Sequence, residues 1–199
     1  MGPDDRLPVN QVETARLVLR VPTLADAAAF MGILWAPEVV ERKQVTLRDP
    51  PGGVELAQRN TNDMIRQWHT RGYGQWSVVE RATGHVIGCV GLYHPQRPWP
   101  GVDLGWIIHQ SRWGHGFATE ATRAAVAWAW DHTSIEQIVS LIAPDDQRSI
   151  RVATKVDLHF LRADVDPVHG EPAHVYEITR PSFHERWMTI KGPSRSAKS

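Results

Sequence analysis

The chain has a single cysteine, Cys89, among 199 residues. That excludes an internal disulfide framework and any cysteine-based zinc finger. No apolar run approaches the roughly 18–20 residues needed to cross a bilayer, and the opening MGPDDRLP lacks the basic and apolar regions of a secretory leader. No membrane partner is expected. Charge of either sign is not in surplus, because 22 Lys plus Arg balance 22 Asp plus Glu. A chain built to sit on nucleic-acid phosphate carries a basic excess, so nucleic acid is not expected as a partner either. Phenylalanine and tyrosine are scarce, at four and three, against nine tryptophans. The neutral balance hides an asymmetry. Lys191, Arg195 and Lys198 lie in the last nine residues, which leaves three more acids than bases in residues 1–190. What is present, 42% hydrophobic and 22% charged residues, is the composition of one soluble globular domain. A cytoplasmic location follows as an expectation.

Residues 1–12 read as a polar lead-in and residues 191–199 as a disordered basic tail, leaving a domain over 13–190. LVLRV (17–21) alternates as a strand, and Pro22 closes it. Thr23 offers an N-cap with Asp26 following in the capping-box position, opening a helix that runs to Trp35. A proline-bearing loop over 36–53 precedes a helix over 54–69, ended by Gly72. Strands over 73–80 and 85–94 form a hairpin around RATG. VDLGWII (102–108) is a strand, Gly114 and Gly116 precede a helix over 118–132, and IVSLIA (138–143) is a strand ended by Pro144. A short helix over 149–156 and strands over 159–163 and 174–179 complete the series. This order predicts a single mixed α/β domain, with a twisted sheet of about six to seven strands flanked by helices.

The sharpest local feature is strand, glycine turn, helix: SRWGHGFATEA (111–121). Glycines at 114 and 116 let backbone N–H groups approach an anion, and the helix start adds its positive dipole end. The same residues also serve a plain tight turn needing φ > 0. Among phosphate-binding loops, a Walker A motif fails because Phe117 follows Gly116 where Lys is required. A dinucleotide fingerprint fits poorly, since the turn follows a late strand and Glu136 precedes the next strand instead of closing it.

WGHGFA (113–118) resembles the acyl-CoA pyrophosphate loop of GNAT N-acetyltransferases, of general form Gln/Arg-x-x-Gly-x-Gly/Ala. Trp113 stands in the Gln/Arg position, as in the branch resembling ribosomal-protein alanine N-acetyltransferases (RimJ/RimL type), and Thr119, Glu120 and Ala121 continue that branch's pattern. ETARLVLRVPTLAD (13–26), VDLGWII, APDDQRSIRVATKVDLHF (143–160) and VYEITRPSF (175–183) are similar to its other segments, in order.

The resemblance implies acyl transfer from acetyl-CoA, or another short acyl-CoA, to an amine of a protein N-terminus or a small molecule, without a metal. The amine would attack the thioester directly. The co-substrate would lie in a splay between strand 102–108 and the parallel strand 138–143, its thioester held by backbone N–H groups at Ile107 and Ile108. Trp113, Gly114, His115, Gly116, Phe117, Ala118 and Thr119 would hold its pyrophosphate. Asp103 matches the acidic residue of this strand and is the first candidate base, directly or through water; His94 and His109 are alternatives nearer neutrality in pKa. Many family members place a leaving-group tyrosine on the short helix after the second strand, where this chain has Ala153. Ser149 matches a serine that would stabilise the departing thiolate, although Ser is also a common helix-start residue. Asp146 replaces a usual Asn facing pantetheine, and Asp157 replaces a usual Gly in a left-handed helix cap.

Other constellations fail. Ten histidines form no HExxH or other i, i+4 ligand pair, and no Gly-x-Ser-x-Gly elbow exists. Cys89 reads as a buried inert thiol. Trp128 and Trp130 lie about 200° apart on a helix and so face different neighbours. Trp35, Trp68, Trp76 and Trp106 suit core packing or an acceptor pocket, and Asp164, Asp166 and Glu171 form an acidic loop. The expected activity is therefore N-acyl transfer, with a non-catalytic acyl-CoA-binding module as the alternative. The oligomeric state, monomer or homodimer, is left open.

Overall fold

A computed structural model describes residues 11–34, 53–94, 101–167 and 170–180. The expected end of the first helix at Trp35, the loop over 36–53 up to Gly53, and the basic tail lie outside them. Eight strands form one sheet: β1 (Gln11–Glu13), β2 (Leu17–Arg20), β3 (Gln75–Glu80), β4 (Val86–Tyr93), β5 (Val102–Ile108), β6 (Gln137–Ile142), β7 (His159–Val165) and β8 (Pro172–Thr179). Their spatial order is β1-β2-β3-β4-β5-β6-β8-β7. The eighth strand, one beyond the expected count, is β1. Its three residues, with Val12 the one apolar side chain, are too short a run to read as a strand, and its pairing with β2 at Gln11↔Arg20, Val12↔Leu19 and Glu13↔Val18 reveals it.

Among the described residues four helices cover the sheet: α1 (Ala27–Leu34), α2 (Gly53–Arg71), α3 (Phe117–His132) and α4 (Gln147–Lys155). Helix α2 buries Ala57, Thr61 and Trp68, a stripe at helical spacing. Helix α3 buries Phe117, Ala121, Ala125, Trp128 and Ala129, with alanines that let it lie close to the strands. Phe30 and Ile33 of α1 pack with Cys89 and, from the adjoining strand, Ile107. Leu104 and Ile108 belong instead to the main core with α3 and α4. Alternate residues of β5 therefore serve opposite faces, as pleating requires.

Trp68, Trp76 and Trp128 form a buried aromatic cluster, with ring centroids 4.1 and 5.2 Å apart. Trp130 faces elsewhere, beneath the Arg180 guanidinium at 5.3 Å. Arg180 also donates to the carbonyls of Trp130, Thr133 and Ile135 at 2.6–3.0 Å, placing a cation at the C-terminal end of α3.

A second structural node is Asp26, only 3% exposed. It accepts two bonds from Arg20 at 2.6 and 2.7 Å, one from the Thr23 N–H at 2.9 Å and one from Ser77 Oγ at 2.7 Å. Burial alone would raise its pKa, but these donors outweigh that effect and hold the carboxyl below its ordinary value. Asp157 takes the left-handed conformation expected of it, with φ 66°, and closes α4 where glycine would do so without strain.

Candidate active site

All strand neighbours in the sheet are antiparallel except β5 and β6, which are parallel and pair only at Val102↔Ile138 and Asp103↔Val139. Beyond Asp103 the two strands part. On its other edge β5 stays paired with β4 through six residues, from Tyr93↔Asp103 to Gly88↔Ile108. The hydrogen bond from His109 N to Ile87 O, 2.7 Å, fixes which residues of β5 point toward β4. In an antiparallel ladder bonded pairs alternate, so Gly105 and Ile107 direct their N–H and C=O groups at β4. Trp106 and Ile108 direct theirs into the opening. Of the two residues expected to hold a thioester, Ile108 thus faces the opening and Ile107 faces β4; Trp106 is the other residue of this stretch that faces the opening.

Asp103 stands at the vertex, 5% exposed. Tyr93, its cross-strand partner, donates its hydroxyl to Asp103 Oδ2 at 2.6 Å. The ring lies over Gly105, where a Cβ would meet Tyr93 Cε1 in ordinary contact at 3.4 Å. Burial, followed by the Asp103 charge, raises the Tyr93 pKa far above the usual phenol range, so the hydroxyl stays protonated and donates. Tyr93 was not legible as a site residue. It meets Asp103 through the β4–β5 register, which no local pattern encodes.

The glycine turn follows β5 directly. Gly114 and Gly116 both adopt φ 80°, the left-handed region that glycine enters freely. Gly116 is the N-cap of α3 and has no side chain to offer. The first-turn N–H groups at Phe117, Ala118 and Thr119, which lack intrahelical partners, are therefore left for an outside acceptor. Trp113 donates its indole N–H to Ile108 O at 2.7 Å, tying the turn to the end of β5. His115 packs against Phe117, and its Nδ1 lies 2.8 Å from Trp113 O.

Arg16 clamps the other side of the turn. It donates Nη1 to His115 O at 2.9 Å and Nε to Glu120 Oε2 at 2.7 Å, and its guanidinium lies 4.5 Å from the centre of the Phe117 ring. Glu120 also accepts from Thr14 Oγ1 at 2.6 Å and Arg16 N at 3.0 Å. Partial burial would raise the Glu120 pKa, but these donors hold it below the ordinary value. An open cleft of about 530 Å³ adjoins the turn, lined in part by Arg16, Gly116, Thr119, Arg123 and Lys155.

Asp146 and Ser149 form one unit. Asp146 is the N-cap of α4, and its carboxylate accepts from Ser149 N at 3.1 Å and Ser149 Oγ at 2.7 Å. The Ser149 proton is thus held within the cap. His109 similarly caps a short turn, with Nδ1 2.8 Å from Ser111 Oγ, and His94 is exposed. Among the described residues no His, Cys, Asp or Glu cluster is placed to hold a metal, and no helix is long and apolar enough to cross a membrane.

A family model described as an acetyltransferase (GNAT) domain matches residues 16–159, from the Arg16 clamp past the whole of α4. The chain belongs to the GNAT acetyltransferase family. It is 28% identical over 156 residues to the uncharacterized protein YkkB of Bacillus subtilis (strain 168), covering 76% of this chain and 86% of that protein. It is 25% identical over 166 residues to the uncharacterized N-acetyltransferase p20 of Bacillus licheniformis, covering 82% and 91%. The crystal structure of an acetyltransferase from Agrobacterium tumefaciens str. C58 superposes with a TM-score of 0.71 at 25% identity, covering 90% of this chain and all of that one. Aminoglycoside acetyltransferase AAC(6')-Ib in complex with coenzyme A superposes with a TM-score of 0.68 at 19% identity, covering 85% and 98%. The last likeness is one of fold. This GNAT protein is an acetyltransferase.

Proposed function

We propose that the protein transfers the acetyl group of acetyl-CoA to a primary amine, by direct attack of the amine on the thioester, and that it belongs to the RimJ/RimL-type branch. The observation that carries the reading is the parting of β5 from β6 immediately after Asp103, with the glycine turn at the far end of the same strand. An extended amide-bearing chain in that opening would meet the N–H and C=O of Trp106 and the N–H of Ile108, whose own C=O already accepts from the Trp113 indole. Its pyrophosphate would reach the N–H groups of the turn and the first turn of α3. When bound, acetyl-CoA supplies the activated acyl group.

The chain's own residues would supply orientation and proton transfer. Asp103, held by Tyr93, receives the acceptor's proton directly or through water. Backbone N–H groups facing the opening stabilise the charge that develops on the thioester oxygen. Ser149 donates toward the departing thiolate only after releasing Asp146, so that pair acts as a hydrogen-bond switch. The acceptor is a protein N-terminal amine or a small-molecule amine.

The test is thiol release from acetyl-CoA across a panel of peptides with free N-termini and small amines, together with calorimetric binding of CoA. Turnover with at least one amine, lost in Asp103→Ala, supports the reading. Tight CoA binding with no turnover on any amine would support a non-catalytic acyl-CoA-binding module. Absence of CoA binding sinks both.

A further inference from the structure

Four guanidinium groups stand around the glycine turn, and they differ in what they meet; Arg123, at the cleft beside Gly116 and Thr119, donates to the Lys155 carbonyl. Arg16 pairs with Glu120 at 2.6 Å, and Arg112 pairs with Glu80 at 3.0 Å. Arg148 has no acidic partner among the described residues. It lies instead over the face of Trp113, with its central carbon 4.4 Å from the ring centre.

Its position in the helix makes this placement informative. Asp146 caps α4 and Gln147 begins it, so Arg148 occupies the second helical position. A cation in the first turn opposes the helix dipole, by roughly 0.3–1 kcal/mol for an exposed group. The contact with the Trp113 face, of comparable size for an exposed pair, offsets that cost. The carboxylate of the cap is directed at Ser149 and does not answer Arg148. Trp113, for its part, stands where the family's general loop carries Gln or Arg, and its one N–H is already bonded to Ile108 O. An indole so bonded cannot donate to a phosphate. It can present a face, and a guanidinium stacked on that face keeps its N–H edges available for two parallel bonds to an anion.

We propose that Arg148 is a pyrophosphate-binding residue for acyl-CoA, with Trp113 as its positioning platform: the charge missing from the loop is supplied from α4, across the cofactor opening. This rests on the acyl-CoA reading above. It also ties the start of α4, and with it the Asp146–Ser149 pair, to occupancy of the turn.

Calorimetry with three ligands separates the possibilities. CoA carries the pyrophosphate and a 3′-phosphate, dephospho-CoA keeps the pyrophosphate alone and its binding should weaken as that of CoA does, and pantetheine lacks both. Arg148→Gln is expected to weaken CoA binding about tenfold or more, the usual scale of a lost charge-assisted bond, while leaving pantetheine binding unchanged. Arg148→Lys recovers part of the loss. Trp113→Leu weakens CoA binding in the same direction, and adding it to Arg148→Gln brings less than the product of the two single effects. The CoA affinity of the wild type should also fall more steeply with salt than that of Arg148→Gln. Equal weakening of CoA and pantetheine in Arg148→Gln would mean that Arg148 only shapes the opening, and overturns the proposal. So does unchanged CoA binding in that variant. Failure of the wild type to bind CoA at all would bring down the functional reading itself, a different and distinguishable result.

Discussion

Strand β5 has two edges and treats its neighbours unequally. Toward β4 it is zipped through six residue pairs, and at Gly88 the two strands come so close that a Cβ would sit 2.2 Å from Ile107 O. Toward β6 it pairs at Val102 and Asp103 and then leaves. Hydrophobicity does not explain the difference, because Leu104 and Ile108 face the main core as their neighbours on β4 do. The difference lies in the backbone. One edge satisfies its N–H and C=O groups with protein, and the other turns both groups of Trp106 and the N–H of Ile108 toward the opening, where an extended polar ligand could meet them. Asp103 belongs to both edges, bonded to Tyr93 on the zipped side and standing last in register on the parted side.

The largest effect should come from that junction. Asp103→Asn keeps an acceptor for the Tyr93 hydroxyl and removes the base, so kcat/KM should fall by roughly 10²–10⁴ while the melting temperature changes little. Steady-state kinetics with the amine found in the screen, beside a thermal melt, tests this; a loss below about threefold would leave Asp103 without a chemical role. Asp26, buried in the zipped half under β2 and β3, should behave in the opposite way. Asp26→Asn breaks a buried pair with Arg20 and should cost about 3–5 kcal/mol, with the activity per folded molecule retained. The pH dependence has a definite sign. Because the folded carboxyl lies below its ordinary value near 3.8, its contribution is complete above that value and is lost as pH falls through the lower folded one. Urea unfolding at pH 6 and pH 3 should therefore show a smaller drop on acidification in Asp26→Asn than in the wild type. Equal drops would remove Asp26 from the account.

Much of this division was legible before any coordinates. The alternation in LVLR, the capping pair Thr23 and Asp26, and the positive φ of Gly114, Gly116 and Asp157 follow from local chemistry that residue types announce. The helix start at the turn and the placement of Asp103 near the opening followed from motif order. Long-range register did not. Tyr93 meets Asp103, Arg16 meets Glu120, and Arg148 meets Trp113 only because strands and helices distant in sequence align, and no local pattern encodes that alignment. Strand β1 escaped because three residues with one apolar side chain are too short a run to read. The assignment of Ile107 to the thioester failed to anticipate a parity, since neighbouring strand residues point their backbone groups in opposite directions.

Two glycines sharpen the contrast further. Gly88 lies on the zipped edge, where the close neighbour is a backbone carbonyl that cannot turn aside. Gly88→Ala should lower stability by about 3 kcal/mol, the upper range for overpacking, because β4 and β5 must separate. Gly105 lies by the junction, where a Cβ would meet the Tyr93 ring at 3.4 Å, an ordinary contact. Gly105→Ala should cost less than about 1 kcal/mol and leave kcat close to that of the wild type, since the added methyl touches the ring without moving it. Denaturant melts and kinetics on the pair decide it. If Gly105→Ala proves the more destabilising, the junction is as rigid as the ladder and the distinction between edges collapses.

The smallest effect is the most direct. Amide exchange reads each N–H of β5 separately. Gly105 and Ile107 donate toward β4 and should exchange slowly whether or not ligand is present. Trp106 and Ile108 donate toward the opening, so they should exchange faster in the free protein and slow by about tenfold when CoA is added. The alternation should survive in Arg148→Gln once enough CoA is present to saturate it, because those two amides belong to the opening and not to the pyrophosphate end. Uniform protection along 105–108 without ligand would show β5 to be zipped on both edges. Protection of Ile107 in place of Ile108 on adding CoA would reverse the parity fixed by the His109–Ile87 bond, and with it the assignment of which backbone groups meet the thioester.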